Sequence, residues 1–308
     1  MVSFPIRIAT RASRLALWQS EYVAERLRQL TGTAVELVLV ATSGDQDQIA
    51  PLYGLGGQGA FTREVQLAVL DGRADLAVHS LKDLPTEPVA GLILAAVPER
   101  ASPFDALVLP ASHEGPADVT AMPQGAKIGT GSLRRRAQLL HARPDLEMRH
   151  VRGNLPTRLR KLDDREFDAL ILAEAGLMRL GLADRLSQPL RPPLMFPAVG
   201  QGALGVECRS HDEELISLLS PLNDPPTHAA VTAERTLLAE LRAGCHAPVG
   251  ALTTSAGSRI ELEAVVLSQD GRERLTALVS GPADDPVSPG RQAADELRRQ
   301  GAERLITK

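Results

Sequence analysis

Along the first hundred residues the apolar positions alternate between a period of two and a period near 3.6. F-P-I-R-I-A-T, residues 4–10, predicts a first strand. Leu15, Trp18, Tyr22 and Leu30 then fall at roughly helical spacing, with Ser13 placed to cap the helix. V-E-L-V-L-V-A (35–41) predicts a strand, 62–72 a helix, and D-L-A-V-H-S (75–80) another strand. The rhythm repeats over 101–197. Strands are predicted at D-A-L-V-L, A-K-I-G-T, L-E-M-R-H-V and D-A-L-I-L-A, with helices opening near Ser132, Asn154 and Glu174. Strand–helix alternation of this kind calls for mixed, mostly parallel sheets covered by helices on both faces.

Two proline-marked segments punctuate the pattern. V-P-E-R-A-S-P (97–103) reads as a crossing between lobes with a hinge. S-Q-P-L-R-P-P-L-M-F-P (187–197) cannot be regular helix. After it, A-V-G-Q-G-A-L-G-V-E-C (198–208) alternates small and apolar residues like a strand. The tail changes character: a helix over 227–242, strands near 249–254, 259–268 and 273–280, and a last amphipathic helix near 290–304. That order suggests a small α+β domain with an antiparallel sheet. No internal sequence repeat is visible.

Composition narrows the functional classes. The chain has 308 residues and a formal net charge of −4, so non-specific nucleic-acid binding, which needs excess basic charge, is not expected. Any anion site must be local. The run A-G-L-I-L-A-A-V is too short to span a membrane, and M-V-S-F-P-I-R-I-A-T lacks a signal-peptide layout. Two cysteines, Cys208 and Cys245, make no disulfide framework, and no Cys/His pair has metal-ligand spacing. The expectation is a cytoplasmic protein without metal. No apolar stripe demands a partner chain, so a monomer is expected.

The candidate chemistry is anionic recognition. In G-T-G-S-L-R-R-R-A-Q (129–138) a strand ends in glycines and opens a helix at Ser132, with Arg134 and Arg135 in its first turn. Cations there oppose the helix dipole, which makes sense if an anion completes the cluster; a solvated helix face is the competing reading. V-R-G-N-L-P-T-R-L repeats the geometry, with Asn154 as cap, Arg152 at the strand end and Arg158 beside the buried stripe. Arg11 occupies the equivalent turn of the first lobe, whereas Arg179 on spacing alone is a surface arginine. A-V-H-S-L-K-D-L-P brings Ser80, Lys82 and Asp83 to a strand's carboxyl end, where such sheets bind ligands. A turn with a local Lys–Asp pair is the plainer alternative. G-L-G-G-Q-G-A-F reads as a lid or tight turn rather than a nucleotide loop. Cys208, in a predicted strand, reads as packed. Cys245, in the loop A-G-C-H-A-P-V-G, is either a nucleophile or an ordinary loop cysteine.

Seven collinear segments together resemble the porphobilinogen deaminase (hydroxymethylbilane synthase) family. They are R-I-A-T-R-A-S-R-L-A-L-W-Q, A-V-H-S-L-K-D-L-P, G-T-G-S-L-R-R-R-A-Q, V-R-G-N-L-P-T-R-L, I-L-A-E-A-G-L-M-R-L-G-L, P-A-V-G-Q-G-A-L-G-V-E-C-R and A-G-C-H-A-P-V-G. The resemblance implies two periplasmic-binding-protein-like α/β lobes and a small C-terminal α+β domain. Domain 1 would comprise 1–100 and 198–219, domain 2 101–197, and domain 3 222–308. It implies an enzyme that joins four porphobilinogen molecules head to tail, releasing ammonia, to give hydroxymethylbilane for tetrapyrrole biosynthesis. Cys245 would carry a dipyrromethane cofactor through a thioether.

By the same resemblance Asp83, Lys82 and Arg11 would be catalytic. Ser80, Lys82, Asp83, Thr130, Ser132, Arg134, Arg135 and Arg158 would hold the cofactor. Arg11, Ser13, Gln19, Phe61, Arg152, Arg158, Arg179 and Gln201 would hold substrate. Each pyrrole brings an acetate and a propionate, so arginines suit the ligand as counter-charges, while Arg136 is free to face water. The chain departs from the family where Gly54 and Gln58 replace common lysines, Gly131 a serine, Pro156 a glycine and His246 a glutamine, with Arg63 a partial compensation. A non-catalytic two-lobed protein for a polycarboxylate ligand would explain the lobes and the arginines but leave Asp83 and Cys245 without work. A regulator would need a helix-turn-helix segment ahead of the lobes, which the sequence lacks.

Overall fold

The computed structural model describes residues 5–42, 59, 61–115, 117–244 and 247–306. It divides into two compact units, Met1–Ala101 with Ala203–His228, and Ser102–Gly202 with Ala229–Lys308.

The first unit is built on five strands: β1 (Ile6–Thr10), β2 (Val35–Leu39), β3 (Leu76–Ser80), β4 (Leu92–Ala96) and β10 (Leu204–Arg209), in the order β2-β1-β3-β10-β4. β1 pairs in parallel with β2 and β3, and β10 runs antiparallel to β3 and β4. Alternate residues of β1 serve opposite faces. Ile6 and Ile8 pack with Val23, Ala24 and Leu27 of α1 (Arg14–Thr31), and Ala9 packs with Val65, Ala68 and Val69 of α2 (Arg63–Leu70). A sheet covered on both sides needs apolar residues at nearly every position, as L-A-V-H-S shows. Ser13 caps α1 as expected, its Oγ accepting from the Ala16 N–H at 3.3 Å.

The second unit holds β5 (Asp105–Val108), β6 (Lys127–Gly129), β7 (Glu147–Arg149), β8 (Ala169–Ala173) and β9 (Gln188–Leu190) in the order β7-β6-β8-β5-β9. Two parallel and two antiparallel pairings again make it mixed. Both sheets therefore share one pattern: four strands run in one direction, and a single strand next to one edge, β10 or β5, runs against them. On one face α3 (Leu133–Ala142) packs through Leu139, and on the other α4 (Leu155–Asp163) packs through Leu159 and Leu162. Ser132 and Asn154 cap them, accepting from Arg135 and Thr157 backbone N–H groups. α5 (Glu174–Arg179) follows β8 directly.

The same unit contains an antiparallel sheet of β11 (Val249–Ala256), β12 (Arg259–Leu267) and β13 (Arg274–Pro282). Its inner face packs on Ala233 and Leu237 of α7 (Pro225–Glu240) and on Ala293, Ala294 and Leu297 of α8 (Val287–Arg299). Val265 and Leu267, on its other side, meet Ala137 of α3 and Phe196.

Several details differ from the sequence expectation. The run at 92–96, weighed only as a membrane span, is edge strand β4. α6 (Glu213–Leu219) was not expected. Within the proline-rich segment Gln188–Leu190 still forms a strand, because β9 lies at the sheet edge, where Pro189 need not donate to a further neighbour. The strand expected over 198–208 begins only at Leu204, after turns with Gly200 and Gly202 at positive φ. The last helix stops at Arg299, and a short α9 (Glu303–Ile306) follows Gly301, whose φ is 90°.

Candidate active site

In the first unit, the carboxyl ends of β1 and β3 collect the candidate residues. β1 delivers Thr10 and Arg11 to the turn that Ser13 caps, and the Arg11 guanidinium carbon lies 4.2 Å from the centre of the Phe61 ring. β3 ends at Ser80 and runs into a single 3₁₀ turn, Leu81–Asp83. Leu81 is fully buried and anchors that turn, leaving Lys82 and Asp83 half-exposed. The Asp83 carboxylate makes no hydrogen bond or ion pair among the described residues. Gln19 is 3% exposed and donates to the Ser80 Oγ at 2.8 Å, so its amide positions Ser80 from inside the lobe. Beneath Ser80, buried His79 sits 3.0 Å from the Glu207 carboxylate, which also accepts from Gln66.

In the second unit the arginines take two different roles. Arg134 and Arg135 are buried and converge on Asp105, which is wholly inaccessible to solvent. Asp105 Oδ2 accepts from Arg134 Nη1 at 2.7 Å, and Oδ1 accepts from Arg135 Nε at 3.0 Å and Nη2 at 2.7 Å. Arg135 Nη1 donates to the Ile171 carbonyl, and Arg134 Nη1 also to that of Phe196. The two guanidiniums are thus not a bare cationic wall: one carboxylate neutralises half of their charge. Burial pushes the Asp105 carboxyl upward, but the two arginines prevail and hold it well below the usual carboxylate range. Arg134 Nε is buried with no hydrogen-bond partner among the described residues. Arg136, as expected, is exposed.

Gln201, expected against substrate, is 1% exposed, and its amide donates to Asp105 Oδ1 at 2.9 Å and to the Pro103 carbonyl. It supports the arginine pair rather than facing outward. Arg179 donates to the Gly202 carbonyl at 2.7 Å. The turn bearing Gln201 is held in place by Glu234 of α7, whose carboxylate accepts from the Gly200 and Thr253 N–H groups.

A second group lies at the carboxyl end of β7. Gly153, at φ 105°, turns the chain into α4, and its carbonyl accepts from Arg158 Nε at 2.8 Å. Pro156 occupies the first turn of α4, where its missing N–H costs nothing. Arg152 and Arg158 are half-buried and lie close enough to His150 to bear on its charge. Thr130 and Ser132 flank Gly131 in the neighbouring turn, and Thr130 Oγ1 accepts from the Ser132 N–H. Gly131 has a steric reason: a Cβ there would lie 3.1 Å from the Val151 carbonyl oxygen.

Cys208 is buried in β10, and burial, with Asp212 second, pushes its thiol up to about 11. It is inert packing, as its strand position suggested. Cys245, His246, Gly54 and Gln58 lie outside the described residues. Asp105 and His150 were missed in the sequence. The only available signal for Asp105 was a lone acid opening an apolar strand, P-F-D-A-L-V-L, which reads equally well as a strand boundary.

Two five-stranded mixed sheets of one strand order, each with capped strand-to-helix turns bearing basic residues, define an α/β protein extended by an antiparallel α+β portion. Residues 6–217 match the family described as porphobilinogen deaminase, dipyromethane cofactor binding domain, and residues 228–299 match porphobilinogen deaminase, C-terminal domain. The chain belongs to the porphobilinogen deaminase family. The porphobilinogen deaminase of Syntrophotalea carbinolica is 44% identical over 307 residues, covering 99% of this chain and 96% of that protein. That of Chromobacterium violaceum is 48% identical over 302 residues, covering 98% and 96%. Among solved structures, the periplasmic VFT2 domain of Bordetella pertussis BvgS covers 70% of this chain and 85% of its own at 15% identity, with a TM-score of 0.41.

Proposed function

We propose that the chain condenses four porphobilinogen molecules head to tail, with loss of ammonia at each step, to give hydroxymethylbilane. The observation that carries this reading is the match to the cofactor-binding domain of the family over residues 6–217. Cys245 is the attachment point for the dipyrromethane. When bound, that group supplies the covalently held pyrrole to which the first substrate unit is joined.

The donor set suits such a group. A dipyrromethane bears four carboxylates, and charge-assisted hydrogen bonds to carboxylates contribute about 1.5–3 kcal/mol each. Arg134 presents a buried Nε with no partner among the described residues, a donor whose desolvation is not compensated by them. Lys82, Arg135, Arg158, Ser80, Thr130 and Ser132 complete the cofactor set. Arg11, Arg152, Arg158 and Arg179 hold substrate carboxylates, with Ser13 and Phe61 beside Arg11. Gln19 and Gln201 act through the residues they orient, Ser80 and Asp105. Asp83 supplies the carboxylate that stabilises positive charge developing as ammonia leaves; its lack of a protein partner among the described residues supports that role.

The same reading takes 1–100 with 198–219, 101–197 and 222–308 as three domains. It places the protein in the cytoplasm as a monomer without a nucleic-acid or membrane partner. The net charge of −4 supports the exclusion of nucleic acid. No helix among the described residues is long and apolar enough to cross a membrane.

Intact mass provides the test. The purified protein is expected to weigh two pyrrole units more than its sequence, to release ammonia from porphobilinogen, and to lose both properties on Cys245→Ser. An unmodified mass after exposure to porphobilinogen, with no ammonia released, overturns the reading.

A further inference from the structure

The sequence motifs leave out one residue at the arginine-rich end of the second unit's sheet. His150 follows β7 directly and is followed in turn by Val151 and Arg152. Its ring lies against the 130–132 turn: a Cβ on Gly131 would stand 3.6 Å from His150 Cε1 and 4.0 Å from Nδ1. The ring is thus in ordinary contact distance of the turn, and only the Val151 carbonyl crowds the Gly131 position. β6 and β7 run in parallel here, with Gly129 opposite Arg149 and the Thr130 N–H donating to the Arg149 carbonyl at 2.9 Å. This pairing holds the turn and the histidine side by side.

The charges bearing on the ring are Arg152, two residues on, and Arg158 of α4. From the turn packed on its other side come Thr130, Gly131 and Ser132, which carry no charge. Arg149, on the histidine's own strand, is ion-paired to Glu147. Burial first, then Arg152 and Arg158, hold the imidazole below its ordinary range, so it is neutral at neutral pH.

We propose that His150 joins Arg152 and Arg158 as a third binding group for a ligand carboxylate, neutral in the empty site and taking up one proton when the carboxylate arrives. This rests on the functional reading above and deepens it. A carboxylate placed among the three groups cancels part of the arginine field. The cost of protonating the imidazole falls, and the imidazolium adds a donor and a positive charge. The sign follows from linkage. The bound state holds the proton more tightly than the empty state, so affinity rises as pH falls through the bound-state midpoint and levels off below the empty-state one. One proton limits the effect to about tenfold per pH unit.

Two measurements on the cofactor-bearing protein test this. The first is NMR titration of the His150 Cε1–H resonance, assigned by its disappearance in His150→Gln, with and without excess glutarate, a dicarboxylate that cannot condense. Glutarate is expected to raise the midpoint by at least half a pH unit. The second is the pH profile of KM for porphobilinogen between pH 6 and 8. The wild type is expected to show a threefold or larger fall in KM toward low pH, and His150→Gln a flat profile. An unmoved NMR midpoint, or a KM slope that survives in His150→Gln, overturns the proposal. Circular dichroism verifies the fold of the variant. Absence of turnover with a shifted midpoint would instead overturn the functional reading and leave the carboxylate site standing.

Discussion

Replacing Asp105 by asparagine keeps its shape and removes its charge. The consequence follows from the partners it serves. Arg134 and Arg135 are 3% and 6% exposed, and Asp105 accepts four hydrogen bonds, three from the guanidiniums and one from Gln201. In Asp105→Asn an amide NH₂ must face guanidinium donors, and two buried cations stand side by side without a counter-ion. Breaking a buried pair in this way costs about 3–5 kcal/mol. At about 2–4 °C per kcal/mol for a body of 150–250 residues, the melting temperature should fall by about 6–20 °C. Gln201→Leu removes two hydrogen bonds of a neutral amide, to Asp105 and to the Pro103 carbonyl, and should cost about 2 kcal/mol, hence about 4–8 °C. Thermal unfolding followed by circular dichroism compares the two.

Acid provides a second axis for the same residue. The folded carboxyl is held below its unfolded value, so its contribution is complete above about pH 4 and is lost as pH falls through the folded value. The gap between wild type and Asp105→Asn should therefore narrow between pH 5 and pH 2. If Asp105→Asn melts no lower than Gln201→Leu at pH 7, or if the gap does not narrow in acid, Asp105 is not the counter-ion of the pair.

Two further outcomes are expected. Asp83→Ala should reduce porphobilinogen turnover by about 10²–10³ while leaving the melting temperature nearly unchanged, because the side chain is half-exposed and makes no bond among the described residues; turnover within threefold of wild type would exclude its role. Gly271→Ala should destabilise by about 2–5 kcal/mol from strain and overpacking, since Gly271 has φ 74° and a Cβ would lie 2.5 Å from the His141 N and 2.7 Å from the Ala137 carbonyl; a melting temperature within about 2 °C of wild type would show that the 268–273 turn can move away from α3 at little cost.

Much of this architecture is written in local pattern. Strand and helix periods, the capping residues Ser13, Ser132 and Asn154, and the antiparallel character of the tail are set by residues within a few positions of one another, so periodicity and capping chemistry suffice to find them. The collinear motifs likewise placed Asp83 at the end of β3 and the arginines at strand-to-helix turns. Three short elements were not read from the pattern: β4, β9 and α6 are five, three and seven residues long and take their identity from the neighbours they pack on.

What only the tertiary structure decided is which charges answer which. Asp105 stands 29 and 30 residues from the two arginines it neutralises, and Gln201 reaches it from 96 residues away. Gly131 and His150 meet because β6 and β7 run side by side. A sequence lists ionisable groups, but their fields fall off with distance in space and depend on burial. Two arginines that look like one open anion site in the chain are, in the fold, an anchored pair with a single net charge.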